Sequence, residues 1–178
     1  MSIGGYVMMA MSLDGFVARE DHGLDWLMKQ PTEGEDHGYF AFMDSIDVIV
    51  MGSGSYRTVL GFEAWPYEKP VIVLSKNLST SDIPEALKAK VEVSDLEPEA
   101  LMARLAAEGV TNVYVDGGAV VQSFLRLGLI KSMKITFVPI LIGTGIRLFS
   151  DLPADIDLKL VKATEHPSGL VDLDYLLN

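Results

Sequence analysis

Short runs of hydrophobic residues alternate along the chain with segments in which hydrophobic positions recur at helical spacing. The runs cover residues 6–13, 48–51, 71–74, 113–115 and 135–142. Continuous runs of this length are typical of strands that are buried on both faces of a sheet. Pro139 lies inside the last run and indicates an edge strand or a bulge there, because proline cannot donate to a strand ladder.

Three segments have the periodicity of amphipathic helices. They are marked by Tyr39, Phe40, Met43 and Ile46, by Leu101, Leu105 and Ala106, and by Phe124, Leu125 and Leu129. Pro98 and Gly109 delimit the second segment, and Gly128 ends the third. Strands that alternate with helices form βαβ units. The pattern therefore predicts an α/β fold with a mostly parallel central sheet and helices on both faces.

The C-terminal part of the chain has a different pattern. Residues 158–162 and 170–175 alternate apolar and polar positions around a turn sequence at residues 166–169, which predicts an antiparallel hairpin at a sheet edge. Residues 19–38 are polar and interrupted by glycine, which predicts a long loop of the kind that often covers a site. We interpret residues 1–178 as one domain.

Composition narrows the class of protein. The 178 residues include 49% hydrophobic and 22% charged positions, which are ordinary values for a globular domain. The net charge of −11 and the dispersed lysines and arginines disfavour a nucleic-acid partner. The apolar runs are shorter than the ~20 residues of a membrane span, and the N-terminus lacks a basic signal-peptide region. We expect a cytoplasmic protein without nucleic-acid or membrane partners.

The content of cysteine and histidine limits metal and thiol chemistry. No cysteine is present, which excludes disulfides, thiolate nucleophiles, iron–sulfur clusters and Cys-type zinc sites. His22, His37 and His166 are too scattered along the sequence to indicate a metal cage, and no HExxH motif occurs. We therefore expect no metal site.

Two glycine-containing turns each follow a predicted strand and precede a helical segment. They consist of Gly52, Ser53, Gly54 and Ser55, and of Gly117, Gly118, Ala119 and Val120. Glycine lets the backbone approach a ligand, and the free N–H groups at a helix start attract anions. Either turn alone is also explained as a structural connection. Two of them at the carboxyl ends of one parallel sheet predict a phosphate-bearing ligand.

Two other strand ends carry polar residues. Ser75 and Lys76 offer a hydroxyl and an ammonium group to a phosphate, or form an ordinary solvated strand end. Asp14 precedes Gly15, and Asp-Gly is a turn signal.

Taken in order, the segments SLDG (12–15), MGSGSY (51–56), VIVLS (71–75), VDGG (115–118) and VPILIGTGIRLF (138–149) resemble the dihydrofolate reductase-like superfamily. The resemblance is closest to stand-alone relatives of the C-terminal reductase domain of bifunctional riboflavin-biosynthesis enzymes. It implies a three-layer fold and an NADPH-dependent reductase that transfers hydride to a C=N or C=O bond of a pterin-like or ribityl-pyrimidine-like substrate. Homodimers are common among such relatives, and we expect one here.

Two alternatives to a reductase stay open. One is a non-catalytic nucleotide- or pterin-binding protein on the same fold. The other is a different chemistry, such as that of a hydrolase or transferase, although no GxSxG elbow is present. Deamination is excluded, because the zinc motif of the deaminase half requires cysteines.

The resemblance also assigns cofactor contacts. The first turn, Gly52, Ser53, Gly54 and Ser55, would contact cofactor phosphates, and the second, Gly117, Gly118, Ala119 and Val120, would hold the pyrophosphate. Ser75 and Lys76 would lie at the adenosine phosphate. Ala10 would lie beside the nicotinamide, and Asp14 near the substrate. Ser53 and Ala119 stand where dihydrofolate reductases often carry arginines that hold a 2′-phosphate. Lys76 and Arg57 are the remaining basic candidates. The resemblance implies NADPH as the cofactor, and the missing arginines leave NADH open as an alternative.

Two acids are candidates for the proton donor and for substrate binding. An ungapped count from the Met-Gly pair places the pterin-binding acid of dihydrofolate reductases at Asp36, and the riboflavin branch places its substrate acid at Asp116. A carboxyl group in an apolar cleft has a raised pKa and can donate a proton while hydride arrives. Asp36 is also explained as a helix N-cap or a solvated acid, and Asp116 as an exposed strand end. Trp26 either stacks on a flat substrate or anchors its loop.

Overall fold

The computed structural model describes residues 2–178, which form ten strands and five α-helices. In chain order these are β1 (Gly4–Ser12), β2 (Phe16–Ala18), α1 (Asp25–Met28), α2 (Tyr39–Ser45), β3 (Val48–Gly52), α3 (Ser53–Leu60), β4 (Val71–Leu74), β5 (Val91–Ser94), α4 (Pro98–Ala107), β6 (Asn112–Asp116), α5 (Gly118–Arg126), β7 (Ile130–Val138), β8 (Ile146–Arg147), β9 (Leu158–Glu165) and β10 (Val171–Leu177). The helices found in residues 2–178 are too short to cross a membrane.

Eight of the strands form one sheet in the order β5-β4-β3-β6-β1-β7-β10-β9. The first six strands of that order are parallel to one another. β10 is antiparallel to β7 and to β9, so the C-terminal hairpin extends the sheet to its edge. The predicted α/β fold with a mostly parallel sheet and a C-terminal antiparallel hairpin is confirmed.

Side-chain alternation in the central strands explains why helices cover both faces. Val48 and Val50 of β3 pack in a core with Phe124 of α5, whereas Ile49 and Met51 of the same strand pack in a second core on the opposite face. The second core includes residues of α2 and α3, and the first includes residues of α4 and α5. The continuous hydrophobic run of β3 is therefore needed to fill two cores.

The structure corrects two details of the predicted strands. The run at residues 135–142 does not continue as a strand, because β7 ends at Val138 and Pro139 begins a loop. β7 is also an interior strand between β1 and β10, so the edge strand or bulge that Pro139 indicated is wrong. The sequence pattern missed β5, since Glu92 is exposed and interrupts the short apolar run.

We expect the core on the α5 side to dominate stability. Phe124 is fully buried, whereas Phe40 on α2 is 81% exposed. Phe124→Ala should lower the free energy of unfolding by about 3–5 kcal/mol, because it leaves a cavity in a packed core. Phe40→Ala, the matched control, should change it by no more than about 0.5 kcal/mol. Urea denaturation of both variants checks this, and equal losses would contradict the assignment of the core.

Candidate active site

A cleft of about 500 Å³ opens at the carboxyl ends of β3, β4 and β6 and beside β1. Of the predicted ligand residues, it is lined by Ala10, Gly52, Ser53, Gly54, Ser55, Asp116, Gly117, Gly118, Ala119 and Val120. Open α/β sheets bind their ligands at this edge, and the volume lies in the range of small-molecule and cofactor sites. The cleft is therefore the candidate active site.

Two helices begin side by side at one wall of this cleft. α3 starts at Ser53 directly after β3, and α5 starts at Gly118 directly after Gly117. Gly117 has a φ of +95°, a conformation that favours glycine, and a Cβ atom there would lie 2.5 Å from the hydroxyl oxygen of Ser55. The two turns thus touch, and both present N–H groups that lack intrahelical acceptors. This wall is suited to bind an anionic group such as a pyrophosphate.

Another part of the cleft lining is apolar. Met8, Met9 and Ala10 of β1 line it, together with the aromatic rings of Phe62 and Tyr67. Flat heterocycles pack well on such side chains. The cleft therefore combines an anion-binding wall with a surface for an uncharged ring.

Asp116 ends β6 inside the cleft, where it is half-buried. Burial raises the pKa of Asp116 to about 6, and hydrogen bonds from the Gly117 N–H and the Tyr114 hydroxyl oppose the rise without cancelling it. The single proton of the Tyr114 hydroxyl is shared between the carbonyl oxygen of Met8 at 3.0 Å and Asp116 Oδ1 at 3.5 Å, so its hydrogen bond to Asp116 is weak. A carboxyl group with this pKa can hold and release a proton near neutral pH.

The structure places Asp36 outside the cleft. Its side chain is exposed, and Oδ1 accepts a 2.7 Å hydrogen bond from the Gly38 N–H just before α2. This contact caps a turn at the start of the helix. Of the two predicted acids, Asp116 is the one that lines the cleft.

Trp26 and Asp14 also have structural surroundings. Trp26 is fully buried against Val138 and Leu170, which matches the loop-anchor alternative and not the stacking alternative. The Asp14 carboxylate accepts hydrogen bonds from the Ser12 hydroxyl at 2.6 Å and from the Gly143 N–H at 2.8 Å. It thereby fixes the loop after β7 to the turn after β1. Neither side chain lines the cleft.

Ser75 and Lys76 line a second, smaller cleft of about 230 Å³. This second cleft shares Ala119 and Val120 with the first, so the two are continuous around the start of α5. Ser75 Oγ accepts hydrogen bonds from two backbone N–H groups that follow it, and Lys76 Nζ pairs with Glu97 at 2.6 Å. Lys76 and Glu97 are both largely exposed, so little free energy is lost when Lys76 exchanges Glu97 for another anion.

The residues of the cleft that the sequence interpretation missed include His22, Tyr67 and Tyr114. His22 has an unusual φ of +67°, and its ring packs against Gly54 at the start of α3. Tyr67 and Tyr114 line the cleft near Asp116. Tyr114 could have been found, because it lies two residues before Asp116 on a predicted strand and so shares its face. The sequence has no comparable signal for His22.

The expectation that the histidines are scattered is wrong for two of them. The rings of His37 and His166 stack with their centroids 3.9 Å apart, and both contact Asp172. The C-terminal hairpin brings them together over a long sequence separation. The sequence pattern carries no signal of this contact.

Comparisons with known proteins identify the family of the chain. A family model described as the RibD C-terminal domain matches residues 5–171. The uncharacterized protein YwjB of Bacillus subtilis (strain 168) is 32% identical over 170 residues, which is 94% of each chain. The crystal structure of a Shewanella protein named for riboflavin biosynthesis is 35% identical, with a TM-score of 0.92 over 99% of both chains.

A more distant solved structure extends the likeness in fold. It is a diaminohydroxyphosphoribosylaminopyrimidine deaminase/5-amino-6-(5-phosphoribosylamino)uracil reductase from Thermotoga maritima, with a TM-score of 0.72 and 16% identity. The present chain covers 57% of that longer chain. At this identity the likeness concerns the fold alone.

The raised pKa of Asp116 has a consequence for stability. The folded protein holds the Asp116 proton up to about pH 6, whereas the ordinary pKa is 3.8, so stability falls as pH rises between these values. Asp116→Asn removes the charge and should therefore raise the free energy of unfolding by about 1–3 kcal/mol near pH 8. The gain should shrink as pH approaches about 4.

Urea denaturation at both pH values measures this effect. Asp44→Asn, an exposed position on α2, serves as the matched control and should show no such gain. A loss of stability in Asp116→Asn near pH 8, or a gain that does not depend on pH, would contradict the burial of a charged Asp116.

Proposed function

The chain belongs to the family of the RibD C-terminal domain, and we propose that it is an NADPH-dependent reductase. Its substrate would be a small pterin-like or ribityl-pyrimidine-like molecule with a reducible C=N or C=O bond. One observation carries the proposal: a single cleft joins two helix starts to an apolar wall and to an acid with a pKa of about 6. A reductase of this kind needs these three parts.

The donor set of the cleft fits a nicotinamide dinucleotide. The first turns of α3 and α5 offer N–H groups to a pyrophosphate, and the hydroxyls of Ser53 and Ser55 lie in the same wall. Ala10 and the neighbouring methionines supply the apolar surface that a nicotinamide ring requires. When bound, the cofactor supplies the hydride.

Asp116 is the residue that we assign to proton transfer. Its carboxyl group holds a proton on one oxygen below about pH 6 and faces the cleft. The Tyr114 hydroxyl, which is fixed by the Met8 carbonyl oxygen, limits the orientations of the carboxyl group. Tyr114 and Tyr67 also reduce the access of water to Asp116, and this desolvation maintains its raised pKa.

The second cleft bears on the choice between NADPH and NADH. Lys76 is the cationic side chain among the residues that line it, and the cleft continues from the start of α5. We assign Lys76 and Ser75 to the adenosine phosphate, which requires Lys76 to exchange Glu97 for the phosphate. Asp95 and Glu97 also line this cleft, so a 2′-phosphate meets two carboxylates there. This local charge keeps NADH as a second candidate cofactor.

A non-catalytic nucleotide-binding protein is the second candidate function. The observation that favours it is the absence of arginine from the two turns, where Ser53 and Ala119 stand in the first turns of α3 and α5. Both functions require binding at the helix starts, and they differ in hydride transfer. Binding and turnover are therefore tested by separate variants.

The first variant pair tests binding. Ala119 is exposed and lines both clefts at the start of α5, so it tolerates a longer side chain. Ala119→Glu places a carboxylate where the phosphates would bind. It should weaken the binding of NADPH at least about fivefold, because one misplaced charge costs about 1 kcal/mol or more there. Ala119→Gln, of similar size but uncharged, should weaken it much less. Calorimetric titration with NADPH and with NADH measures both affinities.

If Ala119→Glu and Ala119→Gln bind NADPH with equal affinity, the assignment of the cofactor phosphates to the start of α5 is contradicted. Gly117→Val is a poorer test, because its side chain would collide with Ser55 before any ligand binds. A variant at Gly117 would therefore report damage to the turn itself.

The second test concerns turnover. A panel of pterins and ribityl-pyrimidines is screened for substrate-dependent oxidation of NADPH, and Asp116→Asn is compared with the wild type on the best substrate. Loss of the proton donor should lower kcat about 10²–10⁴-fold while NADPH affinity changes little. In the wild type, kcat/KM should decline as pH rises above about 6, because Asp116 loses its proton. Unchanged turnover in Asp116→Asn would remove Asp116 from this role.

A further inference from the structure

A second group of ionisable side chains lies outside the cleft, between the loop before α2 and the C-terminal hairpin. It consists of Glu35, His37, His166 and Asp172, and we call it the His37–His166 cluster. The side chains of Glu35 and His166 are each 8% exposed, that of His37 is 19% exposed and that of Asp172 is 2% exposed. Two carboxylates at this depth require compensation by positive charge.

Asp172 fixes both imidazole rings of the cluster. Its carboxylate lies 2.9 Å from Nδ1 of His37 and 2.9 Å from Nε2 of His166, and it accepts a 2.6 Å hydrogen bond from the Thr136 hydroxyl. Each ring thus turns one nitrogen toward Asp172. Nε2 of His37 and Nδ1 of His166 are then the nitrogens left for another partner.

Glu35 is held in the same place by the turn of the hairpin. Its carboxylate accepts hydrogen bonds from the N–H and from the hydroxyl of Ser168, both at 2.8 Å, and it lies 3.2 Å from Nε2 of His37. One possible ligand atom from each of Glu35, His37 and His166 lies within 4.8 Å of the other two. These three side chains therefore lie close enough together to reach a single ion.

The two hydrogen-bond partners of His37 do not fit a neutral imidazole ring. Nδ1 faces Asp172 and Nε2 faces Glu35, but a neutral imidazole carries only one N–H group. Either a second proton or a metal ion must stand between Nε2 and Glu35. The second proton would account for the contacts of His37 with the two carboxylates without involving any other group. The nearness of His166 as a third possible ligand favours the metal ion.

We propose that Glu35, His37 and His166 bind a divalent transition-metal ion of the Zn²⁺ type. Two imidazole nitrogens and one carboxylate oxygen suit Zn²⁺, whereas Mg²⁺ and Ca²⁺ prefer oxygen ligands. Asp172 is a positioning residue, because a carboxylate that accepts the other N–H of a ligand histidine fixes the ring. The ion ties the loop at residues 19–38, which supplies His22, Leu24 and Leu27 to the cleft, to the C-terminal hairpin. This proposal does not depend on the reductase activity.

The experiment uses the full chain, which is freed of metal by chelation and then loaded with Zn²⁺. Zinc per chain is measured after gel filtration, the visible absorption is recorded during titration with Co²⁺, and the thermal midpoint is measured with and without Zn²⁺. The wild type should retain one ion per chain, show the absorption of nitrogen-ligated Co²⁺, and melt at a higher temperature with Zn²⁺. His37→Gln and His166→Gln should each lose the retained ion, and Asp172→Asn should bind about 10–100-fold more weakly.

Glu33→Gln and His22→Gln are the matched controls, since both positions are exposed and lie in the same loop outside the cluster. They should retain zinc like the wild type. The coordination of the zinc-loaded wild type by X-ray absorption, which needs no variant to fold, should show two imidazole ligands. A folded wild type that retains no zinc, or zinc bound without imidazole ligands, would overturn the proposal and leave the cluster as a protonated hydrogen-bonded contact.

Discussion

The parallel pairing of β3 with β6 is the constraint on which the rest of the site depends. In this register Met51 lies opposite Asp116, so the two strands end at the same level of the sheet. The chain must then turn twice at neighbouring positions, and each turn leads into a helix. The close contact between Gly117 and Ser55 follows from this arrangement, and a side chain at Gly117 would separate the two turns. One strand pairing thus places two helix starts with free N–H groups in a single wall.

The chemistry of the cleft follows from what surrounds that wall. β1 lies next to β6 in the sheet and contributes Met8, Met9 and Ala10, so apolar side chains line the same cleft as the polar turns. Asp116 sits where the two surfaces meet, and the loss of water there is the reason for its raised pKa. A charged group in such a place weakens the fold at neutral pH. The cleft therefore carries a local cost in stability, which is common where a site is built for function.

The sequence predicted those parts of the fold that follow from local patterns. The buried runs of β3, β4 and β6 and the glycine turns located the sheet edge at which the cleft opens, and every residue assigned to the two turns lines it. Patterns could not decide between Asp36 and Asp116, because the exposure of Asp36 depends on how its loop folds. They also could not reveal the contact of His37 with His166, which arises only when the hairpin pairs with β7. Tertiary contacts over long separations decided these points.

Hydrogen–deuterium exchange with and without NADPH shows directly whether both helix starts bind the cofactor. The backbone N–H groups of residues 53–55 and 118–120 lie in the first turns of α3 and α5 and lack helical acceptors, so they should exchange rapidly in the free protein. If both helix starts bind the cofactor phosphates, saturating NADPH slows exchange in both segments together. Unchanged exchange in both segments, or protection confined to another part of the molecule, would contradict the assignment of this cleft as a dinucleotide site.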